Sequence, residues 1–442
     1  MSPPRIPSSM LIALGSFALA LVAVTSLGAL ALSRVTTDIE FARLTSVREL
    51  IETEYVEPIS TDALLRNAIR GMVEGLDDYS RYYTGQDAHT FEQETSGRFG
   101  GIGLVMDPAA PELVRVLFPQ PGSPAERAGL RPGMRILEVD RVPVTQIPPD
   151  ELAERVRGRE GTSVVLRICA PDGSNTRDVS IERGPIRDRS VRKVRMLDRE
   201  RGIASLWIGA FTEETVSEFD EAVAQLKAQG MRSLIMDLRL NGGGVLSAAA
   251  ILANRFLPKG VLYETRGRRE SVRCEADPAE AKLTGTPLVL LVSRESASAS
   301  EVLAGALRDH GAAAVVGERT FGKGVVQSTR RFEDTGAYIK ITTAYYYTPS
   351  GRNLGRPRED DPRDTRAGGI APDVVVPIAP EDRLALHRAY QEIDVPIEYA
   401  LEVEELRRTS SARPPAARAD RCLDAAAALL RGGAPPDRAL RP

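Results

Sequence analysis

Two short segments of this 442-residue chain carry residues suited to acyl-transfer chemistry. Ser298 lies in a run of small residues, and Lys323 stands between two glycines 25 positions later. A serine hydroxyl attacks a carbonyl only when a base removes its proton, and a buried lysine can do so because burial lowers the pKa of an amine. Gln327 is expected to orient that amine through its side-chain carbonyl oxygen. The pattern predicts a hydrolase with Ser298 as nucleophile and Lys323 as base.

The residues around Ser298 predict how the reaction would be stabilised. A buried strand should deliver the chain to this serine, and a helix should start there. This arrangement exposes the hydroxyl and aims backbone N–H groups at a developing oxyanion. The N–H of Ala299 is the expected first donor. Gly243 or Gly244, in a glycine-rich turn after another strand, is the expected second, because backbone without a Cβ can approach a substrate closely.

Each of these residues also has an ordinary structural interpretation. A serine in a Ser/Ala run can be a simple helix N-cap, a lysine between glycines can be a surface residue, and a glycine turn can merely bend the chain. A Ser-His-Asp site is disfavoured, although His310 follows an aspartate. That histidine is predicted at the far end of the helix that starts at Ser298, roughly 18 Å away, where it would be a C-cap or surface residue.

Composition narrows the class of protein. The chain is 42% hydrophobic and 27% charged, which is typical of globular proteins, and its length predicts two or three domains. A formal net charge of −3 gives no electrostatic basis for binding nucleic acid. The three cysteines have neither metal-site nor disulfide-framework spacing, although a single disulfide stays open. No cofactor motif is visible, so neither a metal nor a cofactor is expected.

The N-terminus carries an apolar segment long enough to span a membrane. Residues 10–32 form an uncharged run of 23 residues between Arg5 and Arg34. This length exceeds a usual signal-peptide core and fits a spanning helix, so residues 1–33 are predicted to be a signal anchor. A small-residue cleavage motif keeps a removable signal peptide as the alternative. Either interpretation places residues 34–442 outside the cytoplasm, since positive charge precedes the apolar run.

Hydrophobic periodicity divides the remaining chain into regions. Residues 34–95 are predicted to be helical, and 96–185 combine short strands with two short helices, typical of a compact module. From 186 to 380, strands alternate with helices, which predicts an α/β core with a mostly parallel sheet. The charged stretch 259–282 within it is expected to be a solvent-facing insert. Residues 381–442 are expected to form a polar, helical tail.

Together these features resemble the carboxyl-terminal processing peptidases, which are Ser/Lys proteases with a PDZ domain. The resemblance spans roughly residues 40–380. The stretches that carry it are Gly100-Gly-Ile-Gly-Leu104, Gly129-Leu-Arg-Pro-Gly133, Asp237-Leu-Arg-Leu-Asn-Gly-Gly-Gly244, Ser296-Ala-Ser-Ala-Ser-Glu301, the segment 320–327, the segment 342–351 and Gly369-Ile-Ala-Pro-Asp-Val374.

The resemblance implies a fold and a set of roles. The fold class would be α/β plus α+β: an α/β protease core, an inserted PDZ domain over residues 96–185, and helical N- and C-terminal segments. Ser298 would be the nucleophile, Lys323 the general base and Gln327 the residue that orients the lysine. Gly242 departs from the family pattern, in which a proline usually precedes the paired glycines.

The PDZ loop is implied to receive a substrate's C-terminus. Its backbone would bind the terminal carboxylate while the peptide adds a strand. The protein would then be an ATP-independent serine endopeptidase that cleaves exported proteins near apolar C-termini, on the periplasmic face of the inner membrane. A homo-oligomer and an adaptor protein are further family-based expectations. The loop residues are Gly100, Gly101, Ile102, Gly103 and Leu104.

Two rival functions belong to other classes. One is a catalytically inactive PDZ scaffold, which the joint presence of Ser298, Lys323 and Gln327 disfavours. The other is an acyl hydrolase that acts on small molecules. The PDZ module disfavours this second rival, because a small-molecule enzyme has little use for a receptor of peptide ends.

Overall fold

The structure is a computed structural model of the chain. It describes residues 41–107, 114–356, 368–391, 394–409 and 419–432. The predicted signal anchor at 10–32 lies outside these ranges. Within them, no helix is long and apolar enough to cross a membrane. The chain divides into two compact units, residues 1–82 and 83–442.

The first unit is helical over most of its described length. Helix α1 covers residues 41–54, and α2 covers Thr61–Glu74. Ser60 caps α2, since its hydroxyl accepts the N–H of Ala63 at 3.2 Å and so satisfies one of the unpaired amides of the first turn. A short strand, β1, follows at Arg81–Tyr83.

The second unit opens with a helix and a small β-rich module. Strands β5, β6, β7 and β8 form one antiparallel sheet, while β3 pairs with β4 and β2 with β9. In β7, Val164, Leu166 and Ile168 are buried while Arg167 faces solvent, which is the alternation of a half-buried strand. The elements are α3 (Gly85–Ser96), β2 (Arg98–Gly101), β3 (Leu104–Met106), β4 (Val116–Pro119), α4 (Pro124–Arg127), β5 (Arg135–Val139), β6 (Val142–Pro143), α5 (Pro149–Val156), β7 (Ser163–Cys169), β8 (Arg177–Glu182) and β9 (Gly184–Arg187).

The remainder of the second unit contains an α/β core and the C-terminal helices. Its elements are β10 (Val191–Asp198), β11 (Ile203–Ile208), α6 (Thr215–Ala228), β12 (Ser233–Asp237), α7 (Leu246–Phe256), β13 (Val261–Gly267), β14 (Ser271–Glu275), β15 (Leu288–Val292), α8 (Ala299–Asp309), β16 (Ala314–Gly317), β17 (Val325–Arg331), β18 (Tyr338–Tyr347), β19 (Val374–Val375), α9 (Pro380–Gln391), α10 (Ala400–Thr409) and α11 (Arg421–Leu430).

The main sheet has the strand order β10-β11-β12-β15-β16-β19. All pairs from β11 onward are parallel, and β10 is antiparallel at one edge, so the predicted mostly parallel sheet is confirmed. The sheet is buried on both faces, which explains its continuous apolar strands. In β12, Leu234 and Met236 join the core beneath α6, α7 and α8, whereas Ile235 faces α11.

A second, antiparallel sheet contains β17, β18, β13 and β14. The expectation of a solvent-facing insert at 259–282 was wrong for β13. This strand is hydrogen-bonded on both sides, and its Leu262 is only 2% exposed. The charged residues Glu264 and Arg266 within β13 had indicated exposure, whereas β14 is indeed mostly exposed.

The C-terminal tail is helical, as expected, but it makes more apolar contacts than the expected polar tail would. Helix α11 buries Ala425 and Ala426 against the main sheet. The Tyr399 ring stacks on Phe118 of the β-rich module at 6.4 Å between ring centroids, and its hydroxyl donates to Glu126. The three cysteines are free thiols.

Candidate active site

The predicted site residues lie beyond the carboxyl ends of parallel strands. Gly243 and Gly244 follow β12, Ser298 follows β15, and Lys323 follows β16. These three strands are parallel neighbours in the sheet. Parallel strands place all their carboxyl ends at one edge, so loops far apart in sequence meet there.

The loops border a cleft of ≈ 930 Å³. Ser298, Lys323 and Gln327 all line it, together with Gly243 and Gly244. The predicted nucleophile, base and orienting residue are therefore brought to one site, although Ser298 lies in a different segment from Lys323 and Gln327.

Ser298 occupies a strained turn between strand and helix. It is the N-cap of α8, with φ 57° and ψ −115°, a combination rare for residues other than glycine. Backbone strain of this kind costs about 1–3 kcal/mol and is concentrated at functional sites. In α/β-hydrolases, a similarly sharp strand-to-helix turn exposes the nucleophilic serine.

Glu301 holds this turn against the lysine loop. One carboxylate oxygen, Oε2, accepts the backbone N–H of Ser298 at 2.9 Å and that of Lys323 at 2.8 Å. The other oxygen accepts the N–H of Gly322 at 2.7 Å and the hydroxyl of Thr320 at 2.5 Å. Burial raises the pKa of Glu301, although these four hydrogen bonds oppose the rise. No role was predicted for Glu301 from the sequence, although its position three residues after Ser298 has the Ser-x-x-Glu spacing of a capping box.

The lysine is oriented by the predicted glutamine. Lys323 Nζ donates to Gln327 Oε1 at 2.8 Å. Gln327 lies on β17 immediately after a register shift at Val326. An irregularity of this kind re-aims the side chains that follow it. The amide oxygen fixes the lysine nitrogen without placing a second charge beside it.

Tyr346 is a further site residue that sequence analysis did not single out. Its buried hydroxyl shares a hydrogen bond with Ser298, and burial raises the pKa of this phenol, with the Ser298 hydrogen bond acting in the opposite direction. Its backbone N–H donates to Gly324 O at 2.9 Å, which ties β18 to the lysine loop. Tyr346 thus contacts both halves of the site.

The glycine turn approaches Ser298 closely. A Cβ on Gly243 would lie 2.8 Å from the Cβ of Ser298, and one on Gly244 would lie 2.0 Å from Phe211 O. Both glycines also have positive φ angles, of 106° and 128°. No side chain fits at either position, so the backbone itself forms this wall of the cleft.

The structure changes the expected pair of oxyanion donors. The N–H of Gly243 already donates to Asn241 Oδ1 at 2.8 Å, so the interpretation of Gly243 as a donor does not fit this arrangement. The N–H groups of Ala299 and Gly244 contact no acceptor within the described ranges. These two amides are therefore the available donors.

A buried ion network anchors the start of the glycine turn. Arg239, 2% exposed, pairs with Asp237 and with Asp420 of the C-terminal tail, each at 2.6 Å. Its guanidinium also donates to the hydroxyl of Tyr390 at 3.0 Å. Burial alone would raise the pKa of Asp420, but Arg239 lowers it overall. Trp207, which lines the cleft, stacks on Tyr390 with ring centroids 4.4 Å apart.

The predicted peptide-binding loop links β2 to β3. Gly100 and Gly101 are paired with β9, and Gly103 has a φ of 69°. Among the described residues, no acceptor contacts the N–H of Ile102 or of Gly103. The Ile102 side chain is buried in the module core, so its backbone is the part that can contact a peptide; Leu104 begins β3.

His310 has the structural role expected for it. It is the C-cap of α8, at the opposite end of that helix from Ser298. Its Nε2 bonds to Val261 O at 2.7 Å. A triad through this residue is therefore excluded by its position.

Comparison with known families agrees with this architecture. Three family models match the chain: Peptidase family S41 over residues 202–376, a PDZ domain over residues 116–169, and the Activating protease CtpB N-terminal domain over residues 26–88.

Several proteins that are similar in sequence to this chain are named as proteases. A carboxy-terminal-processing protease of Bartonella bacilliformis is 34% identical over 342 residues, which cover 76% of this chain and 75% of that protein. A probable CtpA-like serine protease of Staphylococcus epidermidis is 35% identical, over 75% of this chain and 64% of the relative. The solved photosystem II D1 C-terminal processing protease is 30% identical, with a TM-score of 0.42 over 78% of this chain and 90% of that one.

The fold and these similarities define a serine-type peptidase with a PDZ domain. The chain belongs to peptidase family S41, the family of the carboxy-terminal-processing proteases.

Proposed function

We propose that this peptidase cleaves proteins through an acyl-enzyme on Ser298, with Lys323 as the general base. The observation that carries the proposal is the shared carboxylate of Glu301, which bonds the backbone N–H of both residues. The two side chains also line the same cleft. Positioning by one rigid contact favours proton transfer, because misplacement by even 1 Å is costly to catalysis.

The chemistry follows the general scheme of a serine acyl transfer. The neutral amine of Lys323 takes the proton from Ser298 Oγ as the oxygen attacks the peptide carbonyl carbon. The C–N bond then breaks, and the lysine gives its proton to the departing amine. Water then attacks the resulting ester as the same lysine takes a proton from it. The ester C–O bond breaks, Ser298 Oγ receives that proton from the lysine, and the carboxylic acid product leaves.

Three further groups would assist these steps. Gln327 would keep Lys323 Nζ aimed toward the serine through the 2.8 Å hydrogen bond. The N–H groups of Ala299 and Gly244 would donate to the oxyanion of the tetrahedral intermediate. Loss of one such donor typically lowers kcat by about 10²–10³-fold.

The substrates we propose are exported proteins with apolar C-termini. The free N–H groups at Ile102 and Gly103 suit a terminal carboxylate, and the neighbouring strand β3 suits an added peptide strand. The apolar run at 10–32 supports a periplasmic enzyme anchored to the inner membrane. Cleavage would then occur near the bound C-terminus.

The test is cleavage of an unfolded protein with an apolar C-terminus by the full chain. Wild type should produce fragments, whereas Ser298→Ala and Lys323→Ala should produce none. The exposed residue Lys227, on α6, provides a control, because Lys227→Ala should cleave like wild type. Equal cleavage by wild type and Lys323→Ala would rule out the proposed base. Binding of the substrate without cleavage by wild type would support the inactive scaffold instead.

A further inference from the structure

The cleft is lined by several positively charged side chains in addition to that of the predicted base, Lys323. Of the described residues, one acidic residue lines it, Asp188, and this carboxylate is paired with Arg192. Three more cations line the cleft besides Lys323: Arg157, Arg189 and Lys340. In the same part of the chain, no carboxylate forms an ion pair with any of these three.

Lys340 is held in place by aromatic rings. Its Nζ lies 5.3 Å from the ring centroid of Tyr83 and 5.4 Å from that of Phe91. The two rings stack on each other, with centroids 4.8 Å apart. Cation–π contacts satisfy the charge of an ammonium but none of its N–H donors. The ammonium of Lys340 therefore retains hydrogen-bonding capacity toward an anion in the cleft.

Lys340 lies close to the predicted reaction centre in the register of the sheet. Lys340 pairs with Thr329 across β17 and β18, and Thr329 lies two residues beyond Gln327 on β17. Side chains two residues apart in a strand share a face and are about 7 Å apart. An extended substrate covers the same distance in about two residues. The ammonium thus lies within reach of a substrate side chain close to the scissile bond.

We propose that the cleft prefers substrates with an aspartate or glutamate within about three residues of the scissile bond, and that Lys340 binds this carboxylate. The preference rests on the proposed cleavage at Ser298. Charge-assisted hydrogen bonds to a held ammonium are stronger than neutral ones. Arg157 and Arg189 add a field that attracts anionic segments into the cleft.

The test uses pairs of peptides that differ only by glutamate or glutamine, at each of three positions on either side of the cleaved bond. At one position, wild type should cleave the glutamate peptide with a kcat/KM about tenfold higher at low salt, and the difference should shrink as salt rises. In Lys340→Met, which keeps an unbranched stem against the rings, this ratio should fall close to one. Lys227→Met, at an exposed position of α6, should retain the wild-type ratio.

A binding measurement separates this proposal from the proposed function. The Ser298→Ala variant should bind the glutamate peptide about tenfold more tightly than the glutamine peptide, and Ser298→Ala/Lys340→Met should bind both alike. Equal binding of the two peptides by Ser298→Ala at every position overturns the charge preference. An unchanged preference in the Lys340→Met background overturns the assignment to Lys340. If wild type cleaves no peptide but Ser298→Ala still prefers the glutamate peptide, the proposed cleavage at Ser298 is contradicted and the charge preference is not.

Discussion

The carboxylate of Glu301 accepts the backbone N–H of Lys323 at 2.8 Å, across 22 positions of the chain. The same oxygen accepts the N–H of Ser298, whose backbone is strained. One buried side chain therefore sets the spacing between the loop of the predicted nucleophile and the loop of the predicted base. This spacing decides whether a proton can pass between them.

Replacing Glu301 by glutamine should impair catalysis more than folding. Glutamine has one carbonyl oxygen, so its NH₂ group would face two of the four donors that the carboxylate now satisfies. We expect Glu301→Gln to lower kcat/KM by about 10²-fold, as misplaced catalytic groups do. Glu318→Gln is the control, since Glu318 bonds Arg383 instead of the catalytic loops. Equal losses of activity in the two variants would contradict this role.

Acidification should inactivate the enzyme before it unfolds. Burial raises the pKa of Glu301 above its ordinary 4.5, so protonation begins at a higher pH than for an exposed glutamate. Protonation places an O–H donor on a carboxyl that is surrounded by four hydrogen-bond donors, so at least one of the present hydrogen bonds is lost. The loop of Ser298 and the loop of Lys323 should then separate. The folded state binds this proton more tightly than the unfolded state, so the contribution of Glu301 to the free energy of unfolding increases as pH falls.

The measurement is peptidase activity beside circular dichroism between neutral pH and pH 4.5. Activity should fall reversibly while the far-ultraviolet signal is unchanged, and the acidic limb of the activity profile should lie at a different pH in Glu301→Gln than in wild type. Coincident loss of activity and structure would show that general unfolding is responsible instead.

A methyl group on Gly243 should distort the reaction centre. Its Cβ would meet that of Ser298 at 2.8 Å, and its φ of 106° is unfavourable for alanine. Gly243→Ala should therefore lose at least 10²-fold in kcat and about 1–3 kcal/mol of stability. Gly242→Ala is the matched control, because a Cβ there meets no atom within 4 Å. Unaltered kcat in Gly243→Ala, measured with the same substrate, would show that the turn does not approach the reacting atoms.

Removing the charge of Asp420 should destabilise the protein and loosen the glycine turn. Asparagine can still cap α11, so Asp420→Asn isolates the loss of the ion pair with Arg239. Breaking a buried pair costs up to about 3–5 kcal/mol, and we expect less here because Asp237 remains paired. Urea unfolding compares this variant with Asp424→Asn, on the exposed side of α11. Equal urea midpoints for the two variants would show that the ion pair of Asp420 with Arg239 does not stabilise the protein.

The stability that Asp420 provides should also depend on pH. Arg239 holds the pKa of this carboxyl below its ordinary 3.8, so the ion pair stabilises the fold above that value. The contribution is lost as pH falls through the lowered pKa, because the folded state then takes up the proton.

Local patterns in the sequence were sufficient for some features and not for others. The apolar runs of β12 and β15 and the small residues after them predicted both the parallel sheet and the turn at Ser298. Contacts between distant segments left no local pattern. Asp420 lies 181 positions from Arg239, and nothing near either residue indicates the partner.

The expected oxyanion donors were likewise predicted only in part from the sequence. Sequence identified a turn that only glycines can form, which the positive φ angles of Gly243 and Gly244 explain. It did not indicate that the Asn241 side chain accepts the Gly243 amide. Hydrogen-bond partners of a backbone amide depend on side-chain direction, which residue types alone do not determine.

The most direct test of the Ser-Lys account is labelling of Ser298 by a fluorophosphonate probe, read by mass spectrometry of the full chain. Wild type should be modified at Ser298, Ser298→Ala should be unmodified, and Lys323→Ala should react at least 10²-fold more slowly while remaining folded. Labelling of Lys323→Ala at the wild-type rate would contradict the assignment of Lys323 as the base.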